Sequence, residues 1–484
     1  MVAKLMGVFF VFLAGSMILP LIWAIYAYEG NSIQAFAFSI LITLFFGILL
    51  FFFGKGAKED IFIREAIFIV ALGWILGGIF GALPYVLSDT LPKLPDAFFE
   101  SVSGFTTTGS TVITDIEATD KSILLWRSFT QWLGGMGIIV LFIAVMPHIG
   151  VGGKFLFKSE VPGPIVEGLK PRIKETAYLL WLLYLGFTVI EILLLLFGGM
   201  SFYDALCHSF STLSTGGFSP NSASVGHYGS LYIDIVITVF MFIAGINFSL
   251  FYFVFRGKGF KSLKDPELKT YIAIVLIAIA LVTTNLVLNS HHESAGESLH
   301  QASFQVVAIV TTTGFGTDNF NEYPAFSKFL FVVLMFVGGS AGSTAGGMKV
   351  FRLMIILKHA YYEIRKIIRP REVVSPKLGG QPLRPEIIQN ATAFFVLSIG
   401  LFVLASLMMA WLGTYEPKLD FVTSTTAVAA TLWNIGPGLA KVGSIENFAF
   451  IPSVGKWILA FCMLLGRLEI YTIIVLFFPA YWKR

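Results

Sequence analysis

Four short stretches of this sequence set glycine beside hydroxyl or amide side chains: TTTGST at 106–111, STGGFS at 214–219, TTTGFG at 311–316 and NIGPG at 434–438. Their central residues are Thr107, Thr108 and Gly109; Thr215, Gly216 and Gly217; Thr312, Thr313 and Gly314; and Asn434, Ile435 and Gly436. Glycine reaches backbone conformations that a β-carbon forbids, so such loops can turn carbonyl oxygens toward one centre. Converging carbonyls can replace the hydration shell of a monovalent cation, and nearby Thr and Ser hydroxyls add oxygens or hold the loop. No nucleophile and base can be assembled from the remaining polar residues, so no enzymatic chemistry is expected. His291 and His292 are adjacent but have no further ligand at metal-site spacing, and are read as an ordinary loop pair.

The elements that would carry these loops are membrane helices. The 484 residues are 56% hydrophobic and only 13% charged, whereas roughly a quarter of a soluble domain is charged. Too little polar surface remains to cover that apolar fraction in water. Crossing the hydrocarbon takes about 20 apolar residues, which predicts ten spans near 5–28, 34–54, 63–87, 123–147, 175–199, 231–255, 270–290, 327–358, 389–413 and 454–480. The first run, after Lys4, is too long for a signal-peptide core and is read as a span. Two cysteines, Cys207 and Cys462, cannot form a disulfide framework. Basic residues gather in alternate loops: Lys55, Lys58 and Arg64; the stretch from Lys154 to Lys174; that from Arg256 to Lys269; that from Lys358 to Arg384; and the terminal Lys483 and Arg484. Acidic residues such as Asp115, Glu117, Asp318 and Glu416 dominate the others. By the positive-inside rule both termini are cytoplasmic.

Each glycine stretch follows a full span and a shorter helical segment, near 95–108, 202–216, 297–313 and 419–435, and precedes another full span. The chain therefore reads as four repeats of span, re-entrant helix, glycine loop and span, with two extra spans in front. The fold class is an all-α membrane protein with ten transmembrane helices around one pseudo-fourfold pore. The expected units are 1–60 (two N-terminal helices), 61–150, 151–262, 263–372 and 373–484. Non-helical backbone at membrane depth survives only where protein or water surrounds it. The re-entrant helices would aim their partially negative C-terminal ends at the axis.

Two further features lie inside expected spans. VGGSAGSTAGGMK, 337–349, contains Gly338, Gly339, Gly342, Gly346 and Gly347 and should interrupt its helix in mid-membrane. It is not a nucleotide-binding P-loop, because Met348 stands where the motif requires Lys. Arg467, in CMLLGRLEIYT, is an intramembrane charge that needs a cavity or a partner; it either pairs with Glu469, caps carbonyls or faces the pathway. The glycines of GWILGGIFG, 73–81, are read as a helix-packing seam.

The four loops, the repeat and the two N-terminal spans resemble the Trk/Ktr/HKT superfamily of potassium translocation subunits, most closely its bacterial TrkH-type members. The resemblance covers nearly the whole chain. It implies a potassium filter at the four glycines, with glycine at all four positions going with potassium preference. It also implies an intramembrane gate at 338–347 just below the filter, and a pore charge at Arg467, with Lys349 nearer the cytoplasm. A homodimer with two separate pores, a cytosolic nucleotide-binding regulatory ring of the TrkA type and a bacterial inner-membrane location follow from the same resemblance. Potassium would be the transported ion, with no bound cofactor, and the basic loops would also meet anionic lipid headgroups. The leading expectation is gated, channel-like potassium uptake. The alternative is a secondary transporter coupling potassium to protons or sodium, which needs a titratable group in the pathway.

Overall fold

The computed structural model describes residues 1–56, 62–137, 173–254, 264–369 and 376–483. Among the described residues the regular secondary structure is helical except for a two-residue antiparallel pairing of Lys377–Leu378 with Gln381–Pro382. Six helices are long and apolar enough to cross a membrane: Val2–Tyr26, Gly30–Phe53, Ile63–Leu87, Ala177–Phe197, Pro266–Leu288 and Pro385–Leu412. A seventh candidate, Ser453–Arg467 followed by Tyr471–Phe477, bends by 111°. The chain is an integral membrane protein.

The apolar residues of the long helices are distributed to suit lipid. Phe38, Leu41, Phe45 and Phe52 on Gly30–Phe53 are exposed, while Ser32, Ser39 and Thr43 on the same helix are buried. That inversion of the soluble pattern is expected where the surrounding medium is hydrocarbon, because the polar atoms then need protein partners. Ser32 donates to Asp120 at 2.6 Å and Ser39 to the Ala35 carbonyl at 2.7 Å. The seam at 73–81 packs on the short helix Leu94–Phe105: a β-carbon at Gly78 would lie 2.7 Å from Val102, and one at Gly81 would run into Phe105.

Three of the expected spans are interrupted within the described residues, at 231–255, 327–358 and 454–480, and a fourth, 123–147, is described only as far as residue 137. The helix in 123–147 is Lys121–Gly135, and the remainder beyond residue 137 lies outside the described residues. The span expected at 231–255 is split into Leu231–Ala244 and Phe248–Phe253. The span at 327–358 is split into Ala325–Val337 and Val350–Ile368 around the glycine run. Together with Ser453–Arg467, these helices each run 13 to 15 residues from the glycine-loop side and then break. Also outside the described residues are Lys58, Lys154, Lys158, Lys170, Arg172, Arg256, Lys258, Lys261, Arg371 and Arg484, and all four expected boundaries between units.

Candidate functional site

The four short helices are Leu94–Phe105, Phe202–Leu213, Ala295–Val310 and Phe421–Leu432. Three begin on a side-chain cap: Ser201 accepts from the Asp204 N–H, Ser294 from Glu297 and Asp420 from Thr423, satisfying a backbone donor that the helix leaves unpaired. The first has a proline in its first turn instead, where no N–H partner is needed.

All four end in the same way. The residue after the cap turns into the left-handed region, at Thr107 (φ 55°), Thr215 (56°), Thr312 (59°) and Asn434 (54°). Its N–H reaches back three residues, to Gly104, Thr212, Ile309 and Thr431, at 2.9 to 3.3 Å. The next N–H reaches back five, from Thr108 to Ser103, Gly216 to Ser211, Thr313 to Ala308 and Ile435 to Ala430, at 2.8 to 2.9 Å. This pair of bonds is the Schellman cap, here carrying β-branched Thr three times where glycine is usual. Such residues are rare at positive φ, and the strain is of order 1–3 kcal/mol each. The following residue is then Gly109, Gly217, Gly314 or Gly436, each with φ between 75° and 101°. Gly217, rather than Gly216, is therefore the counterpart of the other three.

The loops face one another in cyclic order. A β-carbon on Gly109 would strike the Gly216 carbonyl; one on Gly217, that of Thr313; one on Gly314, that of Ile435. The circle closes where a β-carbon on Gly436 would come within 2.7 Å of the Thr108 carbonyl. Each glycine thus leaves room for a neighbouring loop's backbone oxygen. Ser110 donates to the Gly436 carbonyl at 2.8 Å and the Asn434 amide donates to Thr108 Oγ1 at 2.9 Å, tying the first loop to the fourth. All four glycines line one cavity.

On the other face of this ring lies the glycine run. Gly338, Gly342, Gly347 and Lys349 all have positive φ, and the loop folds so tightly that a β-carbon on Gly338 would meet the Gly346 carbonyl and the Gly347 backbone. The N–H of Gly346 donates to Thr312 Oγ1 at 2.6 Å, and that of Gly347 to the Trp433 carbonyl at 3.0 Å. Ser340 N–H donates to the Gly245 carbonyl at 2.9 Å, and Phe248 N–H to the Gly342 carbonyl at 3.0 Å. The run is therefore bonded to the third and fourth loops and to the break in the helix pair Leu231–Ala244 and Phe248–Phe253. Gly339 accepts from the Val350 N–H at 3.0 Å where the helix resumes.

Arg467 joins three of these parts. Its guanidinium donates to Thr107 Oγ1 and the Thr344 carbonyl, both at 3.0 Å, and to the Gly134 and Gly135 carbonyls at 2.6 and 2.7 Å. Of the roles open to it from sequence, carbonyl capping is present; Glu469 pairs with Arg352 at 2.6 Å. Arg467 also lines a second cavity, together with Gly346, Gly347, Lys349 and Asn434. The Lys349 ammonium is buried and donates to the Ala345 carbonyl, inside the glycine run itself.

Several supporting residues escaped the sequence reading. Gln131 donates to the Gly216 carbonyl at 2.7 Å and accepts from the Phe218 N–H at 3.1 Å, holding the second loop. Glu267 accepts from Ala341 at 2.6 Å and Phe351 at 3.2 Å, joining the middle of the glycine run to the helix that follows it. Arg127 pairs with Glu100 at 2.6 Å, with both side chains buried, and lies 3.6 Å from the Phe218 ring. A charged or amide residue inside a mostly apolar stretch was the available signal; its partner was not readable because each lies in another part of the chain.

With this geometry described, comparison with known proteins is informative. Residues 32–484 match the family model TrkH, described as a cation transport protein. The chain is 39% identical over 487 residues to the Trk system potassium uptake protein TrkH of Salmonella typhimurium, covering 100% of this chain and 99% of that one. It is 34% identical to the Trk system potassium uptake protein TrkI of Halomonas elongata, covering 100% and 97%. Its fold superposes on the crystal structure of the potassium transporter TrkH from Vibrio parahaemolyticus with a TM-score of 0.89, at 35% identity and 100% and 99% coverage. Full-length similarity at these identities, over a chain with this arrangement of helices, makes it a member of the TrkH family of cation transport proteins.

Proposed function

We propose that this chain takes up potassium across the bacterial inner membrane through a gated, channel-like pore. The observation that carries the reading is the cyclic closure of four identically capped glycine loops, each with a backbone carbonyl against the next glycine. The relatives named as potassium uptake proteins support potassium as the ion. In this reading Gly109, Gly217, Gly314 and Gly436, with the residues before them, form the filter. Ions dehydrate against their carbonyls and pass from the glycine-lined cavity on the outer side to the one lined by Arg467 and Lys349.

The glycine run at 338–347 is the gate. Its bonds to Thr312 and the Trp433 carbonyl hold it directly beneath the filter loops. Arg467 contributes a fixed positive charge and braces the run through Thr344. Ten spans in four repeats, divided at about 60, 150, 262 and 372, with both termini cytoplasmic, fit this pathway, and the 13- to 15-residue helices become the second spans of the repeats. Opening would be governed by a cytosolic nucleotide-binding ring acting on a homodimer.

A proton- or sodium-coupled carrier remains the competing mechanism. Lys349 and Glu267 are the titratable groups bonded to the gate: the Lys349 ammonium donates to the Ala345 carbonyl and one Glu267 oxygen accepts two backbone N–H groups, contacts that hold the run in place. The test is rubidium flux into proteoliposomes holding the purified protein. Uptake that follows the electrochemical gradient supports the channel; uptake abolished by collapsing a proton gradient alone would overturn it.

A further inference from the structure

The adjacent histidines that looked isolated in the sequence acquire a third ligand in space. The helix Pro266–Leu288 ends in a left-handed turn at Ser290 (φ 49°), with the Ser290 N–H bonded to Val287 and the His291 N–H to Leu286. This cap fixes where His291 and His292 emerge. Asp318 arrives from the other side, four residues after Gly314. One ligand atom from each of the three residues lies within 4.8 Å of the other two.

Two details suit these atoms to a shared metal ion. His292 Nε2 and Asp318 Oδ2 stand 3.5 Å apart, and neither has a hydrogen-bond partner although both atoms are buried. The His292 side chain is only 10% exposed. Donors bound to one tetrahedral zinc at about 2.0–2.1 Å are spaced by roughly 3.3 Å, close to the separation found. The opposite nitrogen, His292 Nδ1, faces the Glu297 carboxylate at 3.9 Å. Metal-bound histidines commonly turn their second nitrogen to a carboxylate in this way, which fixes the tautomer. The Tyr323 ring packs edge-on against both imidazoles, with centroids at 5.1 and 6.2 Å.

We infer that His291, His292 and Asp318 form a binding site for a borderline divalent metal ion, zinc being the best match, with a remaining position open to water. Two imidazoles and one carboxylate favour zinc over magnesium and calcium, which take oxygen ligands in larger number. The site would pin the turn between two helices of the third repeat to the segment leaving the third loop. That segment is itself fastened elsewhere: Ser444 donates to the Asp318 carbonyl at 3.3 Å, and the Gln305 amide oxygen, suitably oriented, accepts from the Thr317 and Asp318 N–H groups at 3.1 and 3.2 Å.

Calorimetric titration of zinc chloride into the purified full-length protein, with any polyhistidine tag removed, tests this without reference to transport. The expected result is one zinc per chain, no heat from magnesium, and at least about tenfold weaker binding in H292A and in D318N. H359A, a histidine on the helix Val350–Ile368, should bind as the parent does. Melting temperature and elution profile establish that each variant is folded; D318N, nearly isosteric, carries the test if H292A is not. Absence of zinc binding by the parent chain, or parent-like affinity in D318N, would overturn the site.

Discussion

Thr312 and Gly346 are joined by a 2.6 Å bond from the Gly346 N–H to the threonine hydroxyl. Thr312 is the left-handed residue of the third loop, and Gly346 belongs to the glycine run. The strained residue that shapes one loop of the proposed filter therefore also receives the proposed gate. T312V keeps the β-branch but removes the acceptor of the half-buried Gly346 N–H, a hydrogen bond of about 1 kcal/mol. The run should open more readily, raising rubidium flux several-fold without the regulatory partner. Flux equal to the parent's would detach the gate from the third loop.

Arg467 gives four donors to three separate segments. In R467M the Gly134, Gly135 and Thr344 carbonyls lose those donors together, so the melting temperature should fall by several degrees and basal flux should rise. R467K restores the charge but not the planar fork, and should fall between the two. A lysine variant indistinguishable from the parent would reduce Arg467 to a simple charge.

Substitutions at the four glycines should not be equal. Serine at Gly109, Gly217 or Gly314 meets a carbonyl head-on, whereas at Gly436 the nearest carbonyl is 2.7 Å away. The potassium-to-sodium flux ratio is expected to fall most for G109S, G217S and G314S, and least for G436S. Equal ratios in all four would break the link between close approach and selectivity. The corresponding change at Gly216 tests register: its β-carbon would hit the Gln131 amide, not a neighbouring loop.

Glu117 accepts from the Ser222 N–H at 2.7 Å and the Ser222 hydroxyl at 2.6 Å. These bonds, the hydroxyl's foremost, hold its carboxyl below the usual carboxylate value. A depressed folded value means that the contact's stabilisation is fully present above the unfolded value of about 4.3 and is lost as pH falls through the folded one. Hydrogen exchange at the Ser222 amide should therefore show protection at pH 6 that declines below about pH 4. E117Q should remove that dependence; a pH profile unchanged by E117Q would mean that another group is responsible.

The membrane class, the six long helices and the places of the four loops were legible because lipid demands long apolar runs and each loop falls in a polar stretch between two of them. The register of the second loop was not, since Gly216 and Gly217 look alike until the sign of φ is known. The break after Ala244 was also hidden. Gly245 ends that helix with its carbonyl bonded to Ser340, 95 residues away, and nothing local announces such a partner. The same holds for Gln131 and Glu267, whose roles lie entirely in remote backbone atoms. His291 and His292 lacked a visible ligand set because Asp318 reaches them only after an intervening helix has folded back.

The order in which the loops meet has a mechanical corollary. Each glycine abuts a carbonyl of the following loop, and the fourth returns to the first, so none of them can move along the circle without displacing its neighbour. Aperture becomes a shared coordinate of the whole circle rather than a property of any segment. A lesion in one quarter is transmitted first to its two neighbours and only through them to the quarter across the axis. Unequal chemistry at NIGPG or STGGFS can thus be averaged around the circuit, which is how four dissimilar sequences can behave as one aperture.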